Sequence, residues 1–279
     1  TMSAAAPAKR ARLADGAAEE GKKDGGKGHQ GRHGQRKKFV YGNYDGYYSY
    51  RWGESAEDPR LSLLQGDWFE GKRVLDLGCN SGVLTCSIAT KFKVKHILGV
   101  DIDGELIKKA RNHQQMLHAL QLRESGKQQF PLSMTASTIP ATPESFDLEE
   151  FPQNCAFRVE NFVEDPYPDA LYDTVLCLSV TKWIHFNWGD EGIVKLFHKI
   201  FDCLKPGGCL ILEAQEWKSY KKKKTLTPHI KATVANIRFF PSDFAEYLVQ
   251  NVGFSSCDET EVPTNASKGF QRPLLLLTK

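Results

Sequence analysis

The stretch Val74-Leu-Asp-Leu-Gly-Cys-Asn-Ser-Gly82 constrains the fold of this chain more than any other. An apolar strand pattern runs into a Gly-containing turn, and a helical pattern begins at Val83. A second apolar strand, Ile97-Leu-Gly-Val100, ends in Asp101-Ile-Asp103. Glycines in such a turn leave room for a ligand, and a carboxylate at the tip of the second strand can accept hydrogen bonds from ribose hydroxyls. Residues 74–103 therefore predict half of a nucleoside-binding site.

The spacing of this loop separates it from two other nucleotide-binding loops. A dinucleotide fingerprint would read G-x-G-x-x-G, whereas this loop reads Asp76-x-Gly78-x-x-x-Gly82, with Asn80 in place of a middle glycine. It contains no Lys for a phosphate, which excludes a P-loop. It resembles the S-adenosylmethionine (SAM) loop of Rossmann-like methyltransferases, in which Asp76 would face the amino-acid end of SAM and Asp101 its ribose. An ordinary strand–helix turn without a ligand is the alternative.

The alternation of strand and helix patterns predicts an α/β fold. Such alternation implies a parallel sheet covered on both faces, with ligands at the carboxyl ends of the strands. The residues that carry chemistry fall at those ends. Strand patterns lie near residues 73–77, 96–101, 156–161, 172–179, 209–213 and 272–278, and helical patterns near 83–91, 104–117, 189–203 and 242–252.

A basic tail precedes the predicted domain. Residues 1–38 hold ten Lys and Arg against four Asp and Glu, with no Phe, Trp or Tyr. We expect this tail to be disordered and the domain to occupy residues 39–279. Residues 121–153 are polar and aperiodic, which predicts an insertion loop within the domain. The run Pro7-Ala-Lys-Arg-Ala-Arg12 fits a nuclear-import patch, with a solvated linker as the alternative.

Cysteine usage and hydropathy bear on compartment and metal content. The seven cysteines are odd in number and form no C-x-x-C pair, so we expect reduced core residues and no metal site. No apolar run approaches the roughly 18 residues needed to span a bilayer. Because the N-terminal stretch also lacks a hydrophobic signal core, we expect an intracellular protein.

The segment after the fourth predicted strand distinguishes this chain from other methyltransferases. In this topology the segment faces the transferred methyl group, and we read it as a loop. Methyltransferases that act on base amino groups often carry Asn/Asp-Pro-Pro-aromatic there, and this chain does not. It offers instead a cation, an imidazole, an amide and two indoles, which are Lys182, His185, Asn187, Trp183 and Trp188.

With these residues the resemblance becomes specific: the chain resembles the methylphosphate-capping branch of the bicoid-interacting-protein family of RNA methyltransferases. The resemblance runs from about Phe39 to the last residue, and the tail 1–38 and the insertion 121–153 lie outside it. The related 5′-monophosphate branch shares much of the core, but the intact residues 187–192 and the Tyr-rich segment favour the capping branch. The motifs are Tyr41-Gly-Asn-Tyr44 with Tyr47-Tyr48 and Tyr50-Arg51, Leu75-Asp-Leu-Gly-Cys-Asn80, Leu178-Ser179 with Thr181-Lys-Trp183, Asn187-Trp-Gly-Asp-Glu-Gly192 and Thr264-Asn-Ala-Ser-Lys-Gly-Phe-Gln-Arg-Pro273.

The resemblance implies a fold, an activity and partners. The fold would be a Rossmann-like class I methyltransferase, α/β, with a mostly parallel seven-stranded sheet and helices on both faces. The activity would move a methyl group from SAM to the γ-phosphate of a 5′-triphosphate small nuclear RNA, with 7SK RNA the leading candidate. The products would be a monomethyl-phosphate cap and S-adenosylhomocysteine (SAH). The protein would be a nuclear monomer that needs no metal or membrane and shares its ribonucleoprotein with a La-related protein.

Two alternatives stay open. One is an RNA methyltransferase that acts on a 5′-monophosphate. The other is a SAM- and SAH-binding RNA scaffold that is catalytically idle and is retained in a ribonucleoprotein. A binding site and a turnover site would share the same residues, so the sequence does not separate them.

Phosphate chemistry decides what the acceptor site must do. A terminal phosphate with a second pKa near 6 is mostly dianionic at about pH 7, so no general base is required. The site must instead hold a polyanion. We expect cations from Lys182 and Arg51 and uncharged or switchable donors from Tyr47, Tyr50 and His185. The alternative roles are a packed lid for the tyrosines, a solvated surface lysine and a packing histidine.

The resemblance also implies a set of cofactor-binding residues. Phe162 stands where the family often has Tyr, so a hydroxyl contact is lost while ring packing on adenine survives. The set is Tyr48, Arg60, Gly78, Cys79, Asn80, Asp101, Ile102, Asp103, Asn161, Phe162 and Leu178.

A lysine run follows the fifth predicted strand at the same sheet edge. Lysines with interleaved aromatic residues suit an RNA backbone, although a solvated charge run is the ordinary alternative. The predicted RNA-binding residues are Tyr50, Trp217, Lys218, Lys221, Lys222, Lys223 and Lys224.

Overall fold

The structure is a computed structural model that describes residues 39–44, 57–126, 150–262 and 271–279. Its strands are β1 (Arg73–Leu77), β2 (His96–Asp101), β3 (Cys155–Val159), β4 (Tyr172–Leu178), β5 (Leu204–Glu213), β6 (Ser256–Glu259) and β7 (Leu275–Thr278). Its helices are α1 (Val83–Lys91), α2 (Gly104–Glu124), α3 (Thr181–Cys203), α4 (Trp217–Lys221), α5 (Pro228–Asn236) and α6 (Phe244–Tyr247), which continues into a π-helical turn at Leu248–Val252. Short 3₁₀ turns lie at Pro59–Ser62, Gly66–Trp68 and Pro241–Asp243.

The strands form one seven-stranded sheet in the order β3-β2-β1-β4-β5-β7-β6. The neighbours among β1 to β5 pair in parallel, and β7 pairs antiparallel with both β5 and β6. The order reverses at β1, and in open α/β sheets the crevice at such a switch point receives the ligand. The predicted fold, a mostly parallel seven-stranded sheet of Rossmann-like class I type, is confirmed.

The central strands are buried along almost their whole length because helices cover both faces. All but the first residue of β1 is buried, and β4 is buried at every position except Asp173. One core cluster joins Leu75 and Val175 to α3, and the cluster on the other face joins Val74 and Leu176 to α1 and α2. Burial on both faces selects near-continuous apolar strands, which is why the sequence pattern identified them.

A third, smaller hydrophobic cluster packs beside the first half of α3. We call it the satellite cluster, and it binds the segment between β5 and α6 to the rest of the domain. Its buried members are Trp183, Phe186, Tyr220, Ile230, Val234 and Ile237.

Several predicted elements were wrong in type or extent. The predicted loop after β4 is the start of α3, so Lys182 and His185 lie on a helix. Helix α2 runs to Glu124, so the first four residues of the predicted insertion loop are helical. Helices α4 and α5 and strand β6 were missed. The remainder of that loop between residues 127 and 149, together with the tail 1–38, lies outside the described residues.

Helix α3 is bent at Gly189, which has φ 66° and ψ −161°. This left-handed region favours glycine. The bend divides α3 into a first arm, residues 181–188, and a second arm, residues 190–203.

The part of the chain that the structure describes contains no helix both long and apolar enough to cross a membrane. Among the same residues, no cluster of His, Cys, Asp and Glu is arranged to hold a metal ion. All seven cysteines are described; none forms a disulfide, and six of them are buried.

Candidate active site

The loop between β1 and α1 forms the floor of a cleft. Gly78 and Gly82 both have φ +69°, and Asn80 has φ 53°. A Cβ at Gly78 would meet Val180 Cγ2 at 2.6 Å, and one at Gly82 would meet the Phe157 ring at 2.6 Å. Neither position accommodates a side chain; Gly78 lines the cleft, whereas Gly82 packs against the buried Phe157 and is not part of the lining.

Asp101 ends β2 beside this loop. Its carboxylate accepts hydrogen bonds from the backbone N–H groups of Asn80 at 3.0 Å and Asp103 at 2.9 Å. Burial raises the pKa of Asp101 to about 6, although the N–H donors act in the opposite direction. A partly desolvated carboxylate held by two amides is well placed to accept hydrogen bonds from the hydroxyls of a ribose.

Asp103 has a different role from its neighbour. It accepts from the backbone N–H of Glu105 at 2.8 Å and so caps α2. It also accepts from the side-chain amide of Asn43. It is not among the residues that line the cleft, so its effect on a cofactor would pass through Asn43 and the start of α2.

Two further charged residues lie deep in the cleft. The Asp76 carboxylate accepts from the Thr85 hydroxyl at 2.6 Å, and burial raises its pKa to about 6. The Arg60 guanidinium donates to Asp58 at 2.7 and 3.0 Å and to Glu213 at 3.2 Å. All of these groups are nearly inaccessible to solvent, and the ion pairs fix the direction of Arg60.

The cleft has a volume of about 980 Å³, part of which is open solvent. Its walls include nine of the eleven predicted cofactor residues. Asp103 is excluded, and Tyr48 lies outside the described residues. The nine are Arg60, Gly78, Cys79, Asn80, Asp101, Ile102, Asn161, Phe162 and Leu178.

A roof over the cleft was missed by the sequence analysis. Residues 39–44, which we call the roof segment, contribute Tyr41, Gly42 and Asn43 to its lining. A Cβ on Gly42 would meet Trp183 Nε1 at 2.2 Å, so the segment lies directly against the first arm of α3. The Asn187 side chain donates to the carbonyl of Val40 at 2.9 Å and holds the roof in place. The sequence signals for this segment were the Tyr41-Gly-Asn-Tyr44 motif and the Tyr-rich composition around it.

A group of cations lies beside the cleft at the start of α3. The Lys182 ammonium is 5.0 Å from the centre of the Trp183 ring, and Trp183 lines the cleft. Burial, together with the positive charges of Arg272, Lys223 and Lys222, lowers the pKa of Lys182 to about 8. We call these four residues the cation cluster. Arg272 is itself buried and lies 3.5 Å from Glu213.

Gln215 holds the first turn of α3 in place. Its side-chain oxygen accepts from the Thr181 hydroxyl and from the Lys182 backbone N–H, both at 3.2 Å, and its amide donates to the Ser179 carbonyl. Lys182 therefore projects from a fixed backbone, not from a mobile loop.

His185 does not line the cleft, contrary to the expectation that it contacts the phosphate. It is fully buried, with Nδ1 at 3.2 Å from the Tyr220 hydroxyl and Nε2 at 2.9 Å from Asp190. Burial lowers its pKa, and the Asp190 carboxylate opposes this effect. Asp190 also accepts from the backbone N–H groups of Arg238 and Phe239. Because the segment is a helix, His185 turns into the satellite cluster and has a packing role.

The lysine run forms helix α4 and the turn after it. The Trp217 ring lies 5.0 Å from Tyr220 and 4.9 Å from Phe240, so it packs against the satellite cluster. Trp217 is half-buried by this packing, so its predicted contact with RNA would use the part of the ring that stays exposed. Lys223 lies 5.6 Å from the ring of Tyr44. Lys218 pairs with Glu216, and Lys221, Lys222 and Lys224 are exposed. Tyr47, Tyr50 and Arg51 lie outside the described residues.

A sheet of this order, with a glycine-lined cleft and a terminal carboxylate at the switch point, defines a Rossmann-like class I methyltransferase domain. A family description of a methyltransferase domain matches residues 74–149, and that of Bicoid-interacting protein 3 (Bin3) matches residues 172–279. The chain belongs to the Bin3 family, as the resemblance in the sequence predicted.

The named relatives are consistent with this assignment. The chain is 44% identical over 276 residues to the 7SK snRNA methylphosphate capping enzyme of Homo sapiens, covering 88% of this chain and 40% of that protein. It is 38% identical over 245 residues to the U6 snRNA methylphosphate capping enzyme Amus of Drosophila melanogaster, covering 86% and 75%. More distant relatives, 26–28% identical, are named as pre-miRNA or RNA 5′-monophosphate methyltransferases. The chain thus spans about two fifths of the human and mouse relatives that it matches.

Among solved structures, a SAM-dependent methyltransferase from Methanosarcina mazei superposes with a TM-score of 0.45 at 19% identity, covering 78% of this chain and 94% of that one.

Proposed function

We propose that this chain transfers the methyl group of SAM to the γ-phosphate of a 5′-triphosphate small nuclear RNA and leaves a monomethyl-phosphate cap. The observation that carries the proposal is the cation cluster beside the cleft. Lys182 combines burial with the proximity of Arg272, Lys222 and Lys223. Arg272 is already paired with the buried Glu213, so the three lysines are the charges that would attract a polyanion. A triphosphate end carries more charge than a monophosphate end.

The residues of the cleft fit SAM. The Asp101 carboxylate would accept from the ribose hydroxyls, Asn161 and Phe162 would hold the adenine, and Arg60 and Asp76 would face the amino-acid end. SAM supplies an activated methyl group bound to a sulfonium sulfur. The protein's contribution is to place that group towards Lys182.

The chemistry requires alignment more than proton transfer. In the proposed reaction a γ-phosphate oxygen would attack the methyl carbon as the carbon–sulfur bond breaks, and the bonding pair would stay on sulfur to give SAH. A terminal phosphate is mostly dianionic at about pH 7, so no proton has to be removed. Alignment at about 3–3.5 Å then supplies much of the acceleration. Lys182 would hold the phosphate, and Arg51 and Tyr47 are proposed to contribute from the segment outside the described residues.

RNA would approach over the lysine run. Lys222 and Lys223 belong to the cation cluster and adjoin the exposed Lys221 and Lys224, so a phosphate backbone that leaves the cleft meets further cations. Such contacts bind RNA regardless of its sequence and weaken with salt. The named relatives act on 7SK and U6 snRNA, and we propose a substrate of the same class and a nuclear location. A La-related partner in the same ribonucleoprotein and a monomeric state complete the proposal.

A single experiment distinguishes this proposal from the two alternatives, a 5′-monophosphate methyltransferase and an idle SAM-binding scaffold. One RNA is prepared with a tri-, di- or monophosphate 5′ end and is incubated with labelled SAM, and the product is then treated with phosphatase. We expect label on triphosphate RNA, at an end that resists phosphatase. Equal or better labelling of monophosphate RNA would support the monophosphate rival. Binding of RNA and SAH without any labelling would support the idle scaffold. Label on bases or riboses would refute the proposed reaction.

A further inference from the structure

The loop that follows β3 is irregular and yet carries two residues expected at the adenine. Asn161 and Phe162 line the cleft within a series of turns. The loop is partly closed on itself, since Asp165 accepts from the Asn161 N–H at 2.8 Å and the Asn161 side-chain oxygen accepts from Val163 N–H at 3.2 Å. The carbonyls of Phe162 and Asp165 point outward from these turns. A buried carbonyl there needs a donor from elsewhere in the chain.

That donor is Lys199, in the second arm of α3. Its ammonium donates to the Phe162 carbonyl at 2.7 Å and also to the Asp165 carbonyl. The same nitrogen lies 5.2 Å from the centre of the Phe162 ring and 5.5 Å from that of Tyr167. An ammonium has three N–H donors, and here the group contacts two carbonyls and two rings of one loop.

Two neighbouring side chains fix the ring of Phe162, which is expected to pack on the adenine. Phe162 is buried, and the edge of Tyr167 meets it with ring centres 4.4 Å apart. Tyr167 is held in turn by its hydroxyl, which donates to Glu160. Lys199 lies against both rings, so the orientation of Phe162 depends on an ion–ring contact as well as on packing.

We propose that Lys199 is a positioning residue that sets the adenine subsite, and that SAM affinity depends on its charge. The proposal rests on the proposed function, because it assumes that the cleft receives SAM. Lys199 does not line the cleft, so it acts through the Phe162 carbonyl and ring. Without the ammonium, two carbonyls lose a charged donor and Asn161-Phe162 can leave the position that an adenine requires.

The chain offers a matched control one helical turn away. Lys195 lies on the same arm and contacts Glu164 of the same loop at 3.4 Å. Both of these side chains are 52% exposed. An exposed pair of this kind contributes little. Substitution of Lys195 therefore removes an equal charge from the same arm without removing a donor to the loop carbonyls.

The test compares Lys199→Met, Lys199→Arg and Lys195→Met with the wild type by calorimetry with SAH and adenosine. We expect K199M to weaken both ligands by about tenfold, the loss expected for one charged hydrogen bond. K199R should recover part of the loss, and K195M should stay within about twofold. In methyl transfer, K199M should raise KM for SAM and leave kcat at saturating SAM close to wild type, a split that a general loss of folding would not produce.

Melting temperatures recorded beside each titration show whether a variant is folded under the assay conditions. If K199M binds SAH as tightly as K195M does, or lowers kcat as much as kcat/KM, the inference is wrong and the proposed function is unaffected. If wild-type protein does not bind SAH, the proposed function fails and the inference fails with it.

Discussion

Lys182 gives the most stringent test of the acceptor site, because its charge depends on pH in an accessible range. Burial and the neighbouring cations lower its pKa to about 8. At about pH 9 only about one Lys182 in ten is protonated, whereas at about pH 7 about nine in ten are. A bound triphosphate brings negative charge next to Lys182 and offsets the repulsion from the neighbouring cations. The pKa of Lys182 should therefore return towards its ordinary value near 10.4.

The free energy that couples protonation of Lys182 to RNA binding follows from that shift in pKa. Each pKa unit corresponds to about 1.4 kcal/mol, so a return of about two units couples protonation and RNA binding by about 3 kcal/mol. At about pH 9 the complex is protonated and the free protein mostly is not, so binding takes up about 0.9 proton. At about pH 7 the uptake falls to about 0.1 proton. RNA affinity should therefore decrease as the pH rises through about 8.

The assay is calorimetry of 5′-triphosphate RNA binding, with SAH present, in two buffers that differ in ionisation enthalpy. The difference in observed heat gives the number of protons taken up at each pH. Lys182→Met should remove the uptake at about pH 9 and abolish methyl transfer, while SAH still binds. The terminal phosphate of the RNA has a pKa near 6, so it is already ionised at about pH 9 and adds no proton uptake with either protein.

The lowered pKa of Lys182 also predicts the stability of the K182M variant. Between about pH 8 and pH 10, Lys182 binds fewer protons in the folded protein than in the unfolded chain, because its pKa is lowered in the folded state. Stability therefore rises with pH across this range, and the free energy that Lys182 costs the folded state is largest below it. K182M should thus melt no lower than wild type at about pH 7. Equal proton uptake by wild type and K182M would refute the assignment of Lys182 to the phosphate. Loss of SAH binding in K182M would make Lys182 a structural residue.

Three further predictions concern the donor side and the support of α3. SAH affinity should fall as the pH drops below about 6, because a protonated Asp101 is a poorer acceptor for ribose hydroxyls; Asp101→Asn should bind weakly with a shallower pH dependence, since Asp76 still titrates in the same range, and a dependence as steep as that of the wild type would contradict the role. Gly78→Ala should abolish SAH binding because its Cβ would lie 2.6 Å from Val180 at positive φ, and added Val180→Ala should restore part of it in the same titration. Asp190→Ala should lower the free energy of unfolding by about 2–4 kcal/mol, since His185 and two backbone amides lose an acceptor; a urea midpoint equal to wild type would refute this.

The donor half of the site could be predicted because its signal is local. Residues 74–82 and Asp101 belong to one strand–loop–helix–strand unit, so spacing along the chain translates directly into spacing at the cleft. Positive φ and tight packing at Gly78 and Gly82 are what the glycine pattern indicated. The buried strands were found for the same reason, since burial on both faces leaves a continuous apolar run.

The acceptor half could not be predicted to the same extent because its contacts join distant parts of the chain. Arg272 reaches the neighbourhood of Lys182 from the approach to β7, and the roof segment reaches Asn187 from before β1. His185 was assigned to the phosphate because the segment was read as a loop. In a helix that packs against Tyr220, burial decides its direction, and no local pattern reports that packing.

The bend at Gly189 divides α3 into two arms, one beside the proposed site of the RNA phosphate and the other beside the proposed site of the SAM adenine. Its first arm carries Lys182 and its second carries Lys199, so helical register alone determines whether both reach their partners. Removal of one residue from the second arm would rotate the end of α3 by about 100° and withdraw Lys199 from its loop, while Lys182 stayed in place. The length of this arm is thus under tighter constraint than its exposed side chains, and homologous domains should vary in those side chains before they vary in its length.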